Sequence, residues 1–182
     1  HLSSEEYEPD AFADRAKNFM NDFSQNLYGN PATANPYHYG HLPEVTVNPD
    51  GTGSIKKHYC MGRISHELIQ MMGDNRTALM GDDATNSAYF IFVADKEKDL
   101  SAGTLYAARV GGSTDFTSTA APAAPLTWIK LGKATSAEIE QLANTLKPAD
   151  ILDLKSADPQ DASYTKIVAN GKTEWVKVKP GM

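Results

Sequence analysis

Apolar residues near the start of the chain recur at Phe12, Ala16, Phe19, Met20, Phe23 and Leu27. That spacing places one stripe along a helix and leaves Arg15, Lys17, Asn18, Asp22 and Gln25 off it. Pro9 and Asp10 suit the first turn and Gly29-Asn30-Pro31 stops it, so the pattern predicts an amphipathic helix over residues 10–28. Residues 30–42 hold Tyr37, Tyr39, two histidines and two prolines without a clean period, as an ordered surface loop does. Beyond them the period shortens to two. Pro43 to Asn48 and Ser54 to Tyr59 flank the turn Asn48-Pro49-Asp50-Gly51, and predict a hairpin. Leu68 to Met72 and Ala78 to Met80 flank Gly73-Asp74-Asn75 and predict a second one. Tyr89 to Val93 is continuously apolar, like a strand buried on both faces. Residues 95–101 are charged and turn-rich, and Gly103 to Val110 is again strand-like. Four strands with short turns make a meander, the unit of a propeller blade.

Residues 111–125 are small, polar and proline-rich, which predicts a long flexible loop. Leu126 to Leu131 follows as a strand. A second helix is expected near 136–147: Thr135 and Glu138 are spaced as a capping box, Ile139, Leu142, Ala143 and Leu146 share a face, and Pro148 ends it. Residues 150–154 are ambiguous. Tyr164 to Val168 and Thr173 to Val178 flank Asn170-Gly171, a strong hairpin signal. The fold expected is mainly β.

Composition narrows the chemistry. In 182 residues there are 17 Lys and Arg against 23 Asp and Glu, a net charge of −6. A broad nucleic-acid footprint needs clustered cations to displace counterions, so that class is set aside. The longest continuous apolar run, Ala88 to Ala94, is too short for a membrane span. One cysteine, Cys60, excludes an intrachain disulfide and a multi-cysteine metal site. The opening His1-Leu2-Ser3-Ser4-Glu5-Glu6 has neither the basic nor the apolar region of a signal peptide. A chain that starts at His and stops at Met182 after a strand-like stretch is expected to be part of a longer one.

Several familiar motifs fail on spacing. His66-Glu67 opens a two-histidine zinc pattern, but position 70 is Gln. Gly171-Lys172-Thr173 ends like a phosphate-cradling loop, but Lys166 stands where its first glycine belongs, so it reads as a hairpin turn. Cys60 falls in an expected strand with His58 two residues away on the same face. A Cys–His nucleophile pair is one interpretation and a half-buried structural thiol the plainer one. What remains is rich in oxygen. Glu67 closes MGRISHE (61–67), and Asp82-Asp83 follows Met80-Gly81. Strand-end carboxylates of a barrel or propeller can converge on a hard cation. The competing interpretation has Asp82, Asp83 and Asn86 bonding turn amides and Glu67 in a surface ion pair.

MGRISHE, MGDDATN (80–86), AYFIFVADKEKDLSAGTLYAARV (88–110), WIKLGKATSAEIE (128–140) and WVKVKPGM (175–182) together resemble the PhoX family of bacterial alkaline phosphatases, in order and spacing. The resemblance runs from about residue 56 onward. It implies a six-bladed β-propeller with helical decorations, of which this chain would be a partial β-propeller of antiparallel meander blades. Residues 1–182 would then be one region of a larger propeller domain: helix and loop (1–42), blade strands (43–110), flexible loop (111–125), and strand, helix and hairpin (126–182). It implies hydrolysis of phosphate monoesters at a central cluster of ferric iron and calcium, in an enzyme exported to the periplasm or beyond the cell. Glu67 inherits the role of a cluster ligand, and Asp82 and Asp83 inherit the next carboxylates with the choice between them open. Arg63 could donate to phosphate in bidentate fashion, or serve a structural ion pair. His66 alternates away from Glu67 and is expected in the core or behind the ligands. The family's cysteine ligand lies upstream of this chain and further Glu and Arg motifs lie downstream, so Cys60 inherits nothing and the cluster would be incomplete here. The chain alone is therefore expected to be inactive, and its partners to be small phosphate esters and the remaining blades. A non-catalytic propeller scaffold that binds calcium or a partner is the alternative.

Overall fold

The computed structural model describes all residues except 7, 8, 10–12, 84–86, 112–123, 170 and 182. The first helix, α1, runs Ala13–Tyr28, and Gly29 in the left-handed region caps it by donating to the Gln25 carbonyl at 2.9 Å. The buried hydroxyl of Ser24 then accepts the backbone N–H groups of Thr33 and Ala34, so the loop after α1 is ordered as its composition suggests. Positions 10–12 of the expected helix lie outside the described residues.

Among the described residues, ten strands follow in three antiparallel sheets. β1 (Pro43–Val47) and β2 (Gly53–Lys57) form a two-stranded hairpin separate from the other two sheets. β3 (His66–Met71), β4 (Thr77–Asp82), β5 (Tyr89–Lys96), β6 (Asp99–Val110) and β7 (Leu126–Thr135) form a five-stranded meander in chain order. The meander is thus one strand longer than expected and is completed by β7, across the 111–125 segment. Gly111 and Pro125 meet at the base of that segment at 2.9 Å; its residues 112–123 lie outside the described set. The expected charged turn at 95–101 shrinks to Glu97-Lys98, because Lys98 takes a left-handed backbone that lets β5 and β6 pair almost to their ends.

Three boundaries move. The return strand of the first hairpin ends at Lys57, and Tyr59–Met61 coil into a buried 3-10 turn, so Cys60 is not on a strand. α2 (Ser136–Thr145) starts with the expected capping box, Thr135 and Glu138 exchanging bonds at 2.8 and 3.2 Å. Pro148 opens a further short turn, α3 (Pro148–Ile151), whose first N–H is dispensable. The ambiguous 150–154 stretch is that turn running into β8 (Leu152–Lys155). β8, β10 (Lys172–Val178) and β9 (Thr165–Ala169) make the third sheet, with β10 in the middle. Gly171 sits at φ 72° in the tight β9–β10 turn, while Asn170 lies outside the described residues.

The core lies where one face of the meander meets the 3-10 turn: Leu42, Cys60, Met61, Ala78, Met80, Phe92, Ala94 and Leu100 are buried together. Gly103 lets this packing close, since a Cβ there would strike the Phe92 ring and the Ala94 backbone. The opposite face carries Leu68, Tyr89 and Trp128, all exposed, with the Tyr89 and Trp128 rings 6.0 Å apart. β5 is therefore fully buried on one side only: Phe92 and Ala94 are covered, while Ile91 and Val93 are half-buried and Tyr89 is exposed. No closed ring of blades forms among the described residues, and no described helix is long and apolar enough to cross a membrane.

Candidate metal centre

The open end of the β3–β4 hairpin is built by three segments. The first is the N-terminal stretch, which runs beside β1: Leu2 bridges Glu44, and Ser3 donates to the Pro43 carbonyl at 2.9 Å. Glu5 is spent on structure. Its carboxylate meets Lys57 Nζ at 2.5 Å and accepts the His41 backbone N–H at 2.8 Å, and its carbonyl accepts the His66 N–H at 3.0 Å. Extended backbone sends neighbouring side chains to opposite sides, and Glu6 is exposed.

The second segment is the start of β3. His66 pairs with Asp82 but Leu68 pairs with Gly81, so Glu67 is the extra residue of a β-bulge. A bulge re-aims the side chains around it: His66 points inward with no exposed surface, and Glu67 faces solvent. Just before it, Gly62 holds φ at 101°, a backbone state that other residues rarely adopt, and a Cβ there would come within 3.1 Å of the Leu105 side chain. Gly81, by contrast, faces open space, so no close approach explains it.

The third segment is the end of β4, where the two aspartates diverge. Asp82 accepts the Ser65 backbone N–H at 3.1 Å and the Ser87 hydroxyl. Asp83, one residue on, donates its backbone N–H to the Ser65 carbonyl at 3.0 Å. Carboxylate oxygens of Glu6, Glu67 and Asp83 all lie within 4.8 Å of one another. Among the described residues no lysine or arginine pairs with any of the three, and no donor satisfies their carboxylates. The geometry thus gathers two of the three expected acids, leaves Asp82 outside the group, and adds Glu6. Asn86 lies outside the described residues.

The donor set is all oxygen, which suits a hard cation. Each exposed pair of charges at that separation repels by only about 1 kcal/mol in water, so the cluster can stand without an ion. Beneath it, burial holds His66 neutral by pulling its pKa down. His66 Nε2 meets the Gly62 carbonyl at 3.2 Å, and Nδ1 has no partner among the described residues. No positive charge is stored there to replace a cation.

Arg63 is held by backbone carbonyls. Its Nη2 donates to the carbonyls of Pro9 and of Pro36, the latter at 3.1 Å, and its guanidinium lies 5.9 Å from the Tyr37 ring centre. These bonds fasten two backbone segments to it. Cys60 is an inert thiol: it donates to the Leu100 carbonyl at 3.3 Å, accepts the Ser136 hydroxyl at 3.2 Å, and burial pushes its pKa up. His58, its supposed partner, bonds Glu44 instead at 2.7 Å.

Glu6 escaped the sequence because nothing periodic marks the first six residues. The only available sign was the doubled Glu5-Glu6, and only one of the two reaches the cluster. Neither the curated proteins nor the solved structures contain a match to this chain. The family model described as alkaline phosphatase PhoX matches residues 1–182, so the chain belongs to the PhoX family.

Proposed function

We propose that the chain contributes to a metal-dependent phosphatase that hydrolyses phosphate monoesters, and that Glu6, Glu67 and Asp83 hold a cation at the open end of the β3–β4 hairpin. The observation that carries this is the meeting of three carboxylates, unpaired among the described residues, from three separate segments, in a chain whose family is named for alkaline phosphatase activity. The donors fit calcium, and equally ferric iron, both hard ions that prefer oxygen. When bound, such a cation supplies a Lewis acid that draws charge from phosphate oxygens. The protein's own part is to hold the three carboxylates in place. The bulge turns Glu67 outward, the Ser65 carbonyl fixes the backbone of Asp83, and the N-terminal stretch brings Glu6. Arg63 acts at one remove, tying the chain at Pro9 to the loop at Pro36.

The propeller belongs to the same proposal. Its support is the second face of the meander, where Leu68, Tyr89 and Trp128 stand as an apolar surface suited to another sheet. Location in the periplasm or outside the cell is part of the proposal on the family's account alone.

The test is Glu67→Gln in the intact protein, with p-nitrophenyl phosphate hydrolysis and bound iron and calcium measured together. Both should fall. Unchanged metal content would remove Glu67 from the cluster. Calcium binding by the wild type without hydrolysis would favour a binding scaffold instead.

A further inference from the structure

At the open end of the hairpin, each oxygen of Asp82 is taken by a different segment. Oδ1 accepts the Ser65 N–H at 3.1 Å, and Oδ2 accepts the hydroxyl of Ser87, beyond residues 84–86. The Asp83 N–H returns to the Ser65 carbonyl at 3.0 Å, which closes a ring of two bonds between residues 65 and 82–83. Ser65 also gives its hydroxyl to the Glu6 carbonyl. One serine therefore touches the segments that carry Glu6 and Asp83 and stands two residues before Glu67. Asp82 holds that serine by its N–H.

A carboxylate has about four acceptor positions, so two hydrogen bonds alone would not bar Asp82 from binding metal. Position decides. The oxygens that approach one another within 4.8 Å belong to Glu6, Glu67 and Asp83, and not to Asp82. Resting on the cation site proposed above, we infer that Asp82 is a positioning residue: it fixes Ser65 and Ser87 so that the three neighbouring carboxylates converge, and it does not itself bind the ion. Partners one step behind the ligands fix ligand geometry in many metal sites, and their loss weakens metal binding about 10- to 100-fold.

Asparagine separates the two roles. At position 82 its Oδ1 still accepts the Ser65 N–H, and its Nδ2 can donate to the Ser87 hydroxyl, which is free to reverse. Alanine keeps neither bond. Calcium titrated calorimetrically into the intact protein should bind Asp82→Asn within about threefold of wild type, Asp82→Ala about tenfold or more weaker, and Asp83→Asn far more weakly than Asp82→Asn. Thermal melts without calcium confirm that each variant is folded. If Asp82→Ala does not fold, Ser87→Ala replaces it and should weaken calcium binding measurably.

Loss of calcium in Asp82→Asn equal to that in Asp83→Asn would overturn the inference by making Asp82 a ligand. Wild-type affinity in a folded Asp82→Ala, or in Ser87→Ala where that variant stands in, would overturn it by removing the positioning role. A wild type that binds no calcium would overturn the cation site itself, and this inference with it; that pattern differs from the other two.

Discussion

The two ends of the β3–β4 hairpin present the same short sequence pattern, glycine followed by acid, and put it to different uses. At the closed end, Asp74 accepts the backbone N–H groups of Arg76 and Thr77 at 3.0 and 2.9 Å and the Thr77 hydroxyl at 2.6 Å. Those donors pull its pKa to about 2, with the Thr77 hydroxyl contributing most. At the open end, Asp82 is satisfied in a similar way, but Asp83 is not, and it meets Glu67 and Glu6 instead. An acid in a turn usually answers the turn's own amides. The difference at the open end comes from chain that arrives from elsewhere: a bulge that rotates Glu67, and an N-terminal stretch that delivers Glu6.

The strongest challenge to that contrast is a change that should weaken both ends alike. Phe92 is fully buried in the core between them, and Phe92→Ala should cost about 3–5 kcal/mol in urea unfolding. A loss under about 1 kcal/mol would mean that the core does not join the two ends.

Acid should then separate them. Burial lowers the His41 pKa from 6.5 to about 4, so the unfolded chain binds the proton more readily than the folded one. Stability from its neutral ring is complete above about pH 6.5 and is lost as pH falls towards about 4, by roughly 3 kcal/mol. His41 donates its backbone N–H to Glu5, so this loss falls on the segment that carries Glu6. Asp74 responds lower down. Its contribution is present above its usual 3.8 and is lost as pH falls towards about 2. Unfolding midpoints followed against pH should show the first loss shrink in His41→Gln, and an unchanged slope would remove His41 as its source.

Smaller effects sharpen the contrast. Asp74→Ala should lower the unfolding midpoint less than Phe92→Ala does, because the turn is exposed, and should abolish the loss between pH 3.8 and about 2. Glu67→Gln or Asp83→Asn, studied without added cation, should leave stability unchanged or raise it by less than about 1 kcal/mol, since each removes only repulsion. Marked destabilisation by either would assign it a structural duty like that of Asp74.

Much of the fold was legible because local chemistry wrote it. The stripe from Ala16 to Leu27, the Thr135–Glu138 capping box and the Asp74 turn each depend on neighbours within a few residues. Cys60 leaves the strand its pattern predicts because the 3-10 turn at Tyr59–Met61 is held by contacts to Leu100 and Ser136, forty and more residues away. β7 runs past Leu131, where its hydrophobic pattern fades, because its backbone pairing with β6 continues to Thr135. At the site, Glu67 and the aspartate pair stood out by motif, but alternation alone could not separate Asp82 from Asp83. Ser65 does so by bonding the side chain of one and the backbone of the other. Glu6 had no local signal, since its place depends on backbone pairing with residues some forty positions later.

The convergence of Glu6 on Glu67 and Asp83 is therefore tested most directly at Glu6. Calcium titrated into the intact protein and into Glu6→Gln should show affinity weaker by about tenfold or more in the variant, as loss of a charged oxygen ligand requires, with the melting midpoint in the absence of calcium unchanged. Equal calcium affinity in the two proteins would contradict the account and return Glu6 to the solvated surface.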